Sequence, residues 1–478
     1  MKAQAKWFAL GAFVLVLIAV GIIINNNLGN TPLSADDLSI YNGDINTNWD
    51  VLDQIDVTLS ETYTITKSGV YTFTGTLRGG SIIVNAGKNS SVRIILKNVS
   101  ITNYTGPAIM CHEADNLLIE FEGDNYLADG GSYDSSLDQD VEGVIYSKAD
   151  LALGGSGTLN LTSNYKDAIV AKDDLTIRGG TYNIKAADDA IRGKDSVYIG
   201  AGTFNIEAKE DGIKSTNNTE VGKGFVYVAS GDLNLSVGDD GIHAENYLLI
   251  DDANIDITKS YEGLEGVKIT INDGDIKIKA TDDGINAGGG TSESNTPRPG
   301  GMMDADEDCV LTINGGNVYI DAYGDGIDSN GYVYINGGNV VVDGPTNNGN
   351  GALDAGIGLF VNGGEVIAIG SSGMAEGFSE KSNINSVSIY LNNTEAAKSA
   401  IIIRDKDNNI ILSHTAKKSF SSIVVASPKF VLGNTYTILV DDVSYPFTIE
   451  NTTTIVGNSM NMGPGGGPGG APSRPGRF

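Results

Sequence analysis

An acidic tripeptide that returns about every 22 residues constrains this chain more than any other feature. It stands at Asp167-Ala168-Ile169, Asp189-Ala190-Ile191, Asp211-Gly212-Ile213, Asp240-Gly241-Ile242, Asp283-Gly284-Ile285 and Asp325-Gly326-Ile327. Glu142-Gly143-Val144 and Glu262-Gly263-Leu264 are acidic variants. Two longer steps carry insertions, KSTNNTEVGKG (214–224) before Asp240 and GGGTSESNTPRPGGMMD (288–304) before Asp325. A second register runs beside the first, in the glycine pairs 179–180, 315–316, 337–338 and 363–364. One unit reads DLTI-RGG-TYNIKA-ADDAI (174–191): strand, glycine turn, strand, acidic turn, short third strand.

The apolar residues of TYNIK, TFNIE and NVYID alternate with period two, which is the strand period and not the helical one. A unit this short cannot bury its apolar face alone, but stacked units can, which predicts a parallel β-helix. Right-handed crossovers are the default for parallel connections, so the expected winding is right-handed. Leucine-rich repeats need LxxLxL, calcium rolls need GGxGxD at a shorter period, and propeller blades are about 40 residues long. None of these fits. Glycine is abundant, 63 of 478 residues, but does not fall at every third position, which excludes collagen.

The expected organisation has four parts. Residues 1–35 form a signal anchor and linker, and 36–384 the β-helix, with irregular opening coils at 38–141. Residues 385–456 form a small antiparallel β module with a turn at Asp407-Asn408, and 457–478 a Gly/Pro-rich tail. Residues 7–24, WFALGAFVLVLIAVGIII, follow Lys2 and Lys6 and would span about 27 Å as a helix, close to a bilayer core. The length of this run, and the lack of a small-x-small site after it, favour an uncleaved anchor over a cleaved signal peptide. Either way the rest of the chain is exported: to the extracellular side of the membrane if anchored, secreted if cleaved.

With 31 Lys+Arg against 60 Asp+Glu, the formal charge is −29, and no basic run offers a surface for nucleic acid. Such a balance favours cations. Equivalent positions of adjacent coils lie about 4.8 Å apart, so the period stacks Asp189, Asp211, Asp240, Glu262, Asp283 and Asp325 in one column. Asp188, Asp239 and Asp282 sit one place earlier. Two charges at that separation repel by roughly 1 kcal/mol in water and more near a protein surface. Hard oxygen donors in a cluster suit Ca²⁺. The alternative is that aspartate simply makes good turns. The doubled acids, and the Glu262/Glu265 variant, point toward metal.

Three residues after each acid a second column runs Val170, Arg192, Lys214, His243, Glu265, Asn286, Asp328. Arg192 and Lys214 are candidates to receive acidic sugars, or they pair with neighbouring acids. Tyr165, Tyr261 and Tyr323 flank the acidic turns and are candidate sugar-stacking rings, or partly exposed core. The motif set of a polygalacturonase-type hydrolase is absent, and so is a nucleophile elbow.

The segment YEGLEGVKITINDGDIKIKATDDGINAGGG (261–290), with DDAIRGKDSVYI and DGIKS before it, resembles the bacterial and archaeal carbohydrate-binding β-helix family. The resemblance covers about residues 38–384, and SPKFVLGNTYTILVDD (427–442) is similar to that family's terminal module. It implies a pectate-lyase-like right-handed β-helix, bound Ca²⁺ and polysaccharide binding without established catalysis. It also implies metal-associated roles for Glu262, Glu265, Asp282 and Asp283. The expected function is therefore a surface-anchored, calcium-binding, non-catalytic binder of cellulose or a pectin-like polyuronate. The rivals are a Ca²⁺-dependent lyase, with Arg192 or Lys214 as base, and an adhesin-like surface stalk.

Overall fold

A computed structural model describes residues 47–288 and 305–457. The expected anchor at 7–24, most of the 288–304 insertion and nearly all of the tail lie outside them. Among the described residues, no helix is long and apolar enough to cross a membrane.

Apart from a single helical turn at Trp49–Val51, the regular elements of the described residues are β-strands, and they wind as a parallel β-helix. Each coil contributes to three parallel ladders, and the 22-residue period is the step between pairing partners. In the first ladder Asp174–Ile177 pairs with Ser196–Ile199, which pairs with the start of Phe225–Ser236. In the second, Thr158–Thr162, Thr181–Ala186 and Thr203–Ala208 follow one another. In the third, the short strands Ile191–Gly193, Ile213–Ser215 and the start of Ile242–Ser260 carry the acidic turns at their N-terminal ends. The long strands Ile242–Ser260 and Leu264–Ala280 pass through all three ladders.

Period-two alternation sends every second side chain inward. Ile177, Ile199, Val228, Ile250, Ile271, Ile313, Ile335 and Val361 occupy one column, each paired with the next and all buried. Burying an aliphatic side chain of this kind stabilises the fold by about 1.5–3 kcal/mol. Aromatics join the interior too: Tyr182 stacks on Phe204 with ring centroids 4.9 Å apart.

The glycine register turns the chain between the first two ladders. Gly316, Gly338 and Gly364 have φ of +80°, +82° and +78°, a left-handed conformation that side chains with a Cβ adopt only at a cost. Each also packs on the glycine below it: a Cβ at Gly338 would lie 2.6 Å from the Gly316 carbonyl oxygen.

The opening coils run from Gln54–Leu59 through Gly69–Arg78, Ser91–Thr102 and Asn116–Glu122, in parallel and without the acidic turn. At the other end, Glu365–Gly370 pairs antiparallel with Phe420–Ala426, which also pairs antiparallel with Ser386–Glu395. The C-terminal part is therefore joined to the last coil by a shared sheet. Its outer layer is a four-stranded antiparallel sheet in the order Ile410–Thr415, Ala400–Asp405, Thr435–Val440, Val443–Thr448. Asp407 and Asn408 lie in the hairpin turn between Ala400–Asp405 and Ile410–Thr415.

A buried carboxylate fixes the joint. Asp343 accepts hydrogen bonds from the Tyr319 hydroxyl at 2.8 Å and the Lys417 amide at 2.9 Å, and His414 Nε2 lies 3.1 Å from each of its oxygens.

Candidate cation-binding column

The third ladder builds the two columns read from the repeat. Ile169, Ile191, Ile213, Ile242, Leu264, Ile285 and Ile327 pair in register, so the acids two places before them share one edge. Val170, Arg192, Lys214, His243, Glu265, Asn286 and Asp328 form the neighbouring column by the same pairing. Glu142 departs from the series. Gly143 occupies the register position opposite Asp167, so Glu142 sits one residue earlier than the other turn acids.

Five of the turn aspartates, Asp167, Asp189, Asp211, Asp283 and Asp325, first serve the backbone. The Asp189 N–H donates to Asp167 Oδ1 at 3.2 Å, Asp211 N–H to Asp189 Oδ1 at 3.0 Å and Asp240 N–H to Asp211 Oδ1 at 2.9 Å. The same bond recurs from Asp325 N–H to Asp283 Oδ1 at 2.6 Å and from Gly351 N–H to Asp325 Oδ1 at 2.5 Å. One oxygen of each of these carboxylates therefore closes a turn of the next coil.

The other oxygens divide the column into three stretches. In the first, the protein supplies the cations: Arg192 pairs with Asp167 and with Glu142, whose Oε2 lies 2.6 Å from Arg192 Nη2, and Lys166 also meets Glu142. Lys214 pairs with Asp211, whose side chain is fully buried. In the second stretch, His243 stands between Asp240, with Nδ1 3.0 Å from Oδ2, and Glu265. Burial opposes charge on the ring, but its bonds to Asp240 and Glu265 outweigh burial and raise its pKa well above the usual value. Asp240 Oδ1 is buried with no hydrogen-bond partner. Asn286 Nδ2 donates to Glu262 Oε2 at 3.1 Å.

In the third stretch the second column carries an acid instead of a cation. Asp283, Asp325 and Asp328 each offer a carboxylate oxygen, and these lie within 4.8 Å of one another. Asp282 and Asp354 flank them, and no Lys, Arg or His among the described residues forms an ion pair with the three. Burial, followed by the charges of Asp325 and Asp282, pushes Asp283 up to about 9. Burial, with Asp328 and Asp354 nearby, pushes Asp325 up to about 8, although the Gly351 N–H pulls the other way. Burial and then Asp354 push Asp328 up to about 7. Carboxyls held protonated near neutrality mark a place where a cation would relieve repulsion.

Gly324 shapes the pocket. A Cβ there would lie 2.3 Å from Asp283 Oδ1 and 2.5 Å from Asp282 Oδ1, so the carboxylates occupy space that a side chain would take. An all-oxygen, partly buried donor set of this kind fits a hard divalent cation.

The remaining candidates are placed as follows. Asp188, Asp239 and Asp282 lie half-buried beside the column, and Glu262 and Glu265 are buried within it. Tyr165 stacks on Tyr133 with centroids 4.5 Å apart. Tyr261 is half-buried. Tyr323 is 52 % exposed, with the Lys418 ammonium 4.6 Å over its ring.

A second acidic corner escaped the sequence reading. Asp150, Asp173 and Asp174 offer oxygens within 4.8 Å of one another at the start of the first ladder. Its signal is the recurrence of Lys148-Ala149-Asp150, Lys172-Asp173-Asp174 and Lys194-Asp195-Ser196 near the same period.

Residues 60–297 match the family described as "Carbohydrate-binding domain-containing protein". With the repeat and the β-helix already in view, this part of the chain belongs to that family of carbohydrate-binding domains. A carbohydrate-binding domain-containing protein of Acetivibrio thermocellus is 36 % identical over 126 residues, which cover 26 % of this chain and 44 % of that relative. The chain thus spans less than half the length of that relative. A solved structure described as the polysaccharide lyase-like protein from C. thermocellum, a gadolinium derivative, is 31 % identical. It covers 43 % of this chain and 92 % of its own, with a TM-score of 0.40.

Proposed function

We propose that this chain is a non-catalytic polysaccharide-binding β-helix that carries Ca²⁺ at Asp283, Asp325 and Asp328 and is displayed at the cell surface. The observation that carries the binding role is the family match over 60–297, which falls on coils whose outer faces are long and regular. The calcium assignment is supported by a cluster of three acids where the neighbouring column no longer supplies cations. Bound there, the ion would supply charge neutralisation. Asp283 and Asp325 would hold it while their Oδ1 atoms keep closing the turns. Surface display is supported by the apolar run at 7–24, which follows Lys2 and Lys6.

Arg192 and Lys214, the candidate bases of a lyase, both sit in ion pairs with acids of their own column. A base must be neutral to accept a proton, and such pairing favours the charged form. This supports binding over elimination. Incubating the protein with polygalacturonate in calcium, and following the absorbance of unsaturated product, tests the point. Retention on the polymer with no product is expected; sustained product formation would overturn the non-catalytic reading.

A further inference from the structure

The outer face of the second ladder carries a row that neither the acidic turns nor the family match assigns. Tyr126 pairs with Asn160, Asn160 with Asn183, Asn183 with Asn205 and Asn205 with Asn234, all on the outward side. Tyr126 is 54 % exposed, Asn205 and Asn234 are exposed, and Asn160 and Asn183 are half-buried. The amides bond in sequence: Asn183 Nδ2 donates to Asn160 Oδ1 at 2.9 Å, Asn205 to Asn183 at 3.0 Å and Asn234 to Asn205 at 3.3 Å. An amide has two N–H donors and two acceptor lone pairs. The ladder uses one of each at Asn183 and Asn205. The rest is left for a ligand, at fixed intervals along the axis.

The row's charge says what that ligand is. Thr158, Thr181 and Thr203 run beside the ladder, so at these two positions three successive coils present hydroxyls and amides. Lys185 and Glu207, further along the same face, neutralise each other at 3.0 Å. Asp124 and Asp232 stand at the two ends of the threonine column, and a polyanion would meet them there. On a chain of net charge −29 this is a neutral strip closed by acids. It repels a polyuronate and suits an uncharged polymer rich in hydroxyls.

We infer that a neutral polysaccharide chain lies along this row, with one sugar face on the Tyr126 ring and hydroxyls bonded to the amides of Asn160, Asn183, Asn205 and Asn234. From Tyr126 to Asn234 is four coil steps, about 19 Å, enough for several sugars. An exposed ring offers a flat apolar surface at low entropy cost, and the rigid ladder holds the amides in place before binding. This inference rests on the polysaccharide-binding reading and specifies where the polymer sits and which kind it is.

The test is equilibrium depletion of the full chain by microcrystalline cellulose, compared with Tyr126→Ala, Tyr126→Phe and Asn183→Asp/Asn205→Asp. Tyr126→Ala and the double variant are expected to bind about tenfold more weakly, with Tyr126→Phe close to the parent. Tyr126 is exposed, so its variants report on binding even if the double variant melts lower. Parent-like binding by Tyr126→Ala and by a folded double variant would overturn the row while leaving polysaccharide binding intact. Retention of the parent on polygalacturonate but not on cellulose would overturn the row alone. Retention on neither would overturn both.

Discussion

The Asp325 N–H donates to Asp283 Oδ1 at 2.6 Å, and one carboxylate oxygen from each of these residues lies within 4.8 Å of one from Asp328. The same side chains therefore close the turn of the helix and crowd negative charge. The turn bond recurs at Asp167, Asp189 and Asp211, but there Arg192 and Lys214 stand beside the acids. Among the described residues no cation pairs with the three acids of the C-terminal stretch.

Calcium should therefore raise the melting temperature. A ligand in hundredfold excess over its Kd, binding only the folded state, stabilises it by about 2.7 kcal/mol. Asp283→Asn with Asp328→Asn keeps an oxygen for the turn but removes two carboxyls that folding must either protonate or hold charged against burial and their acidic neighbours. The variant should therefore melt above the parent in chelator and below it in calcium. Gly324→Ala should blunt the calcium response without touching a charge, because its Cβ would fall on the Asp282 and Asp283 carboxylates. Identical melting of the parent with and without chelator would leave the acids as turn-formers only.

Arg192 should matter for stability and little for ligand. Arg192→Ala leaves Asp167, 1 % exposed, without its cation. Removing one partner of a buried pair typically costs about 3–5 kcal/mol. Urea unfolding should show that loss, and retention of the folded variant on polymer should be unchanged. A selective loss of polyuronate binding would instead return Arg192 to the role of a sugar contact.

The joint at Asp343 should be acid-sensitive. Burial raises the pKa of its carboxyl, but bonds from His414, the Lys417 amide and Tyr319 outweigh burial and hold it below the ordinary 3.8. Because the folded state binds its proton less readily than the unfolded state, this contribution is present above the unfolded pKa and lost as pH falls through the folded one. Asp343→Asn should cost about 2–3 kcal/mol at neutral pH, and the gap between variant and parent should close in acid. A gap that stays constant with pH would mean that the charge contributes nothing there.

The glycine register should tolerate no side chain. Gly338→Ala places a Cβ in a left-handed conformation, which costs about 1–2 kcal/mol, and within 2.6 Å of the Gly316 carbonyl oxygen. Denaturant unfolding should show a loss larger than the conformational cost alone. A smaller loss would mean that the coils separate easily.

The ladder register was legible because an acid, a small residue and an aliphatic recur at one spacing, and burial tolerates no slip in a β-coil. Both columns, from Val170 through Asp328, follow from that spacing alone. How the acids are neutralised was not legible. Lys214 reaches Asp211 in its own coil, whereas Arg192 reaches back to Asp167 in the previous one; side-chain length and rotamer decide this, and neither has a period. Asp354 was hidden for a related reason. Leu353 bridges to Ile327, which puts Asp354 beside Asp328, but the chain between them carries extra residues that obscure the repeat. The Asp150, Asp173 and Asp174 corner had a readable signal, a Lys followed within two residues by Asp at 148–150, 172–174 and 194–195, but the stronger acidic turn hid it.

The most direct test of the binding role is how affinity depends on the length of the sugar chain. A long regular face contributes a little free energy per sugar, so the account predicts negligible binding of short soluble oligosaccharides. Binding should strengthen steadily with chain length and become saturable, tight retention on the insoluble polymer, with no cleavage. Equal affinity for a disaccharide and a long polymer would contradict the extended-face account, and no retention on any polysaccharide, with calcium present, would contradict the function itself.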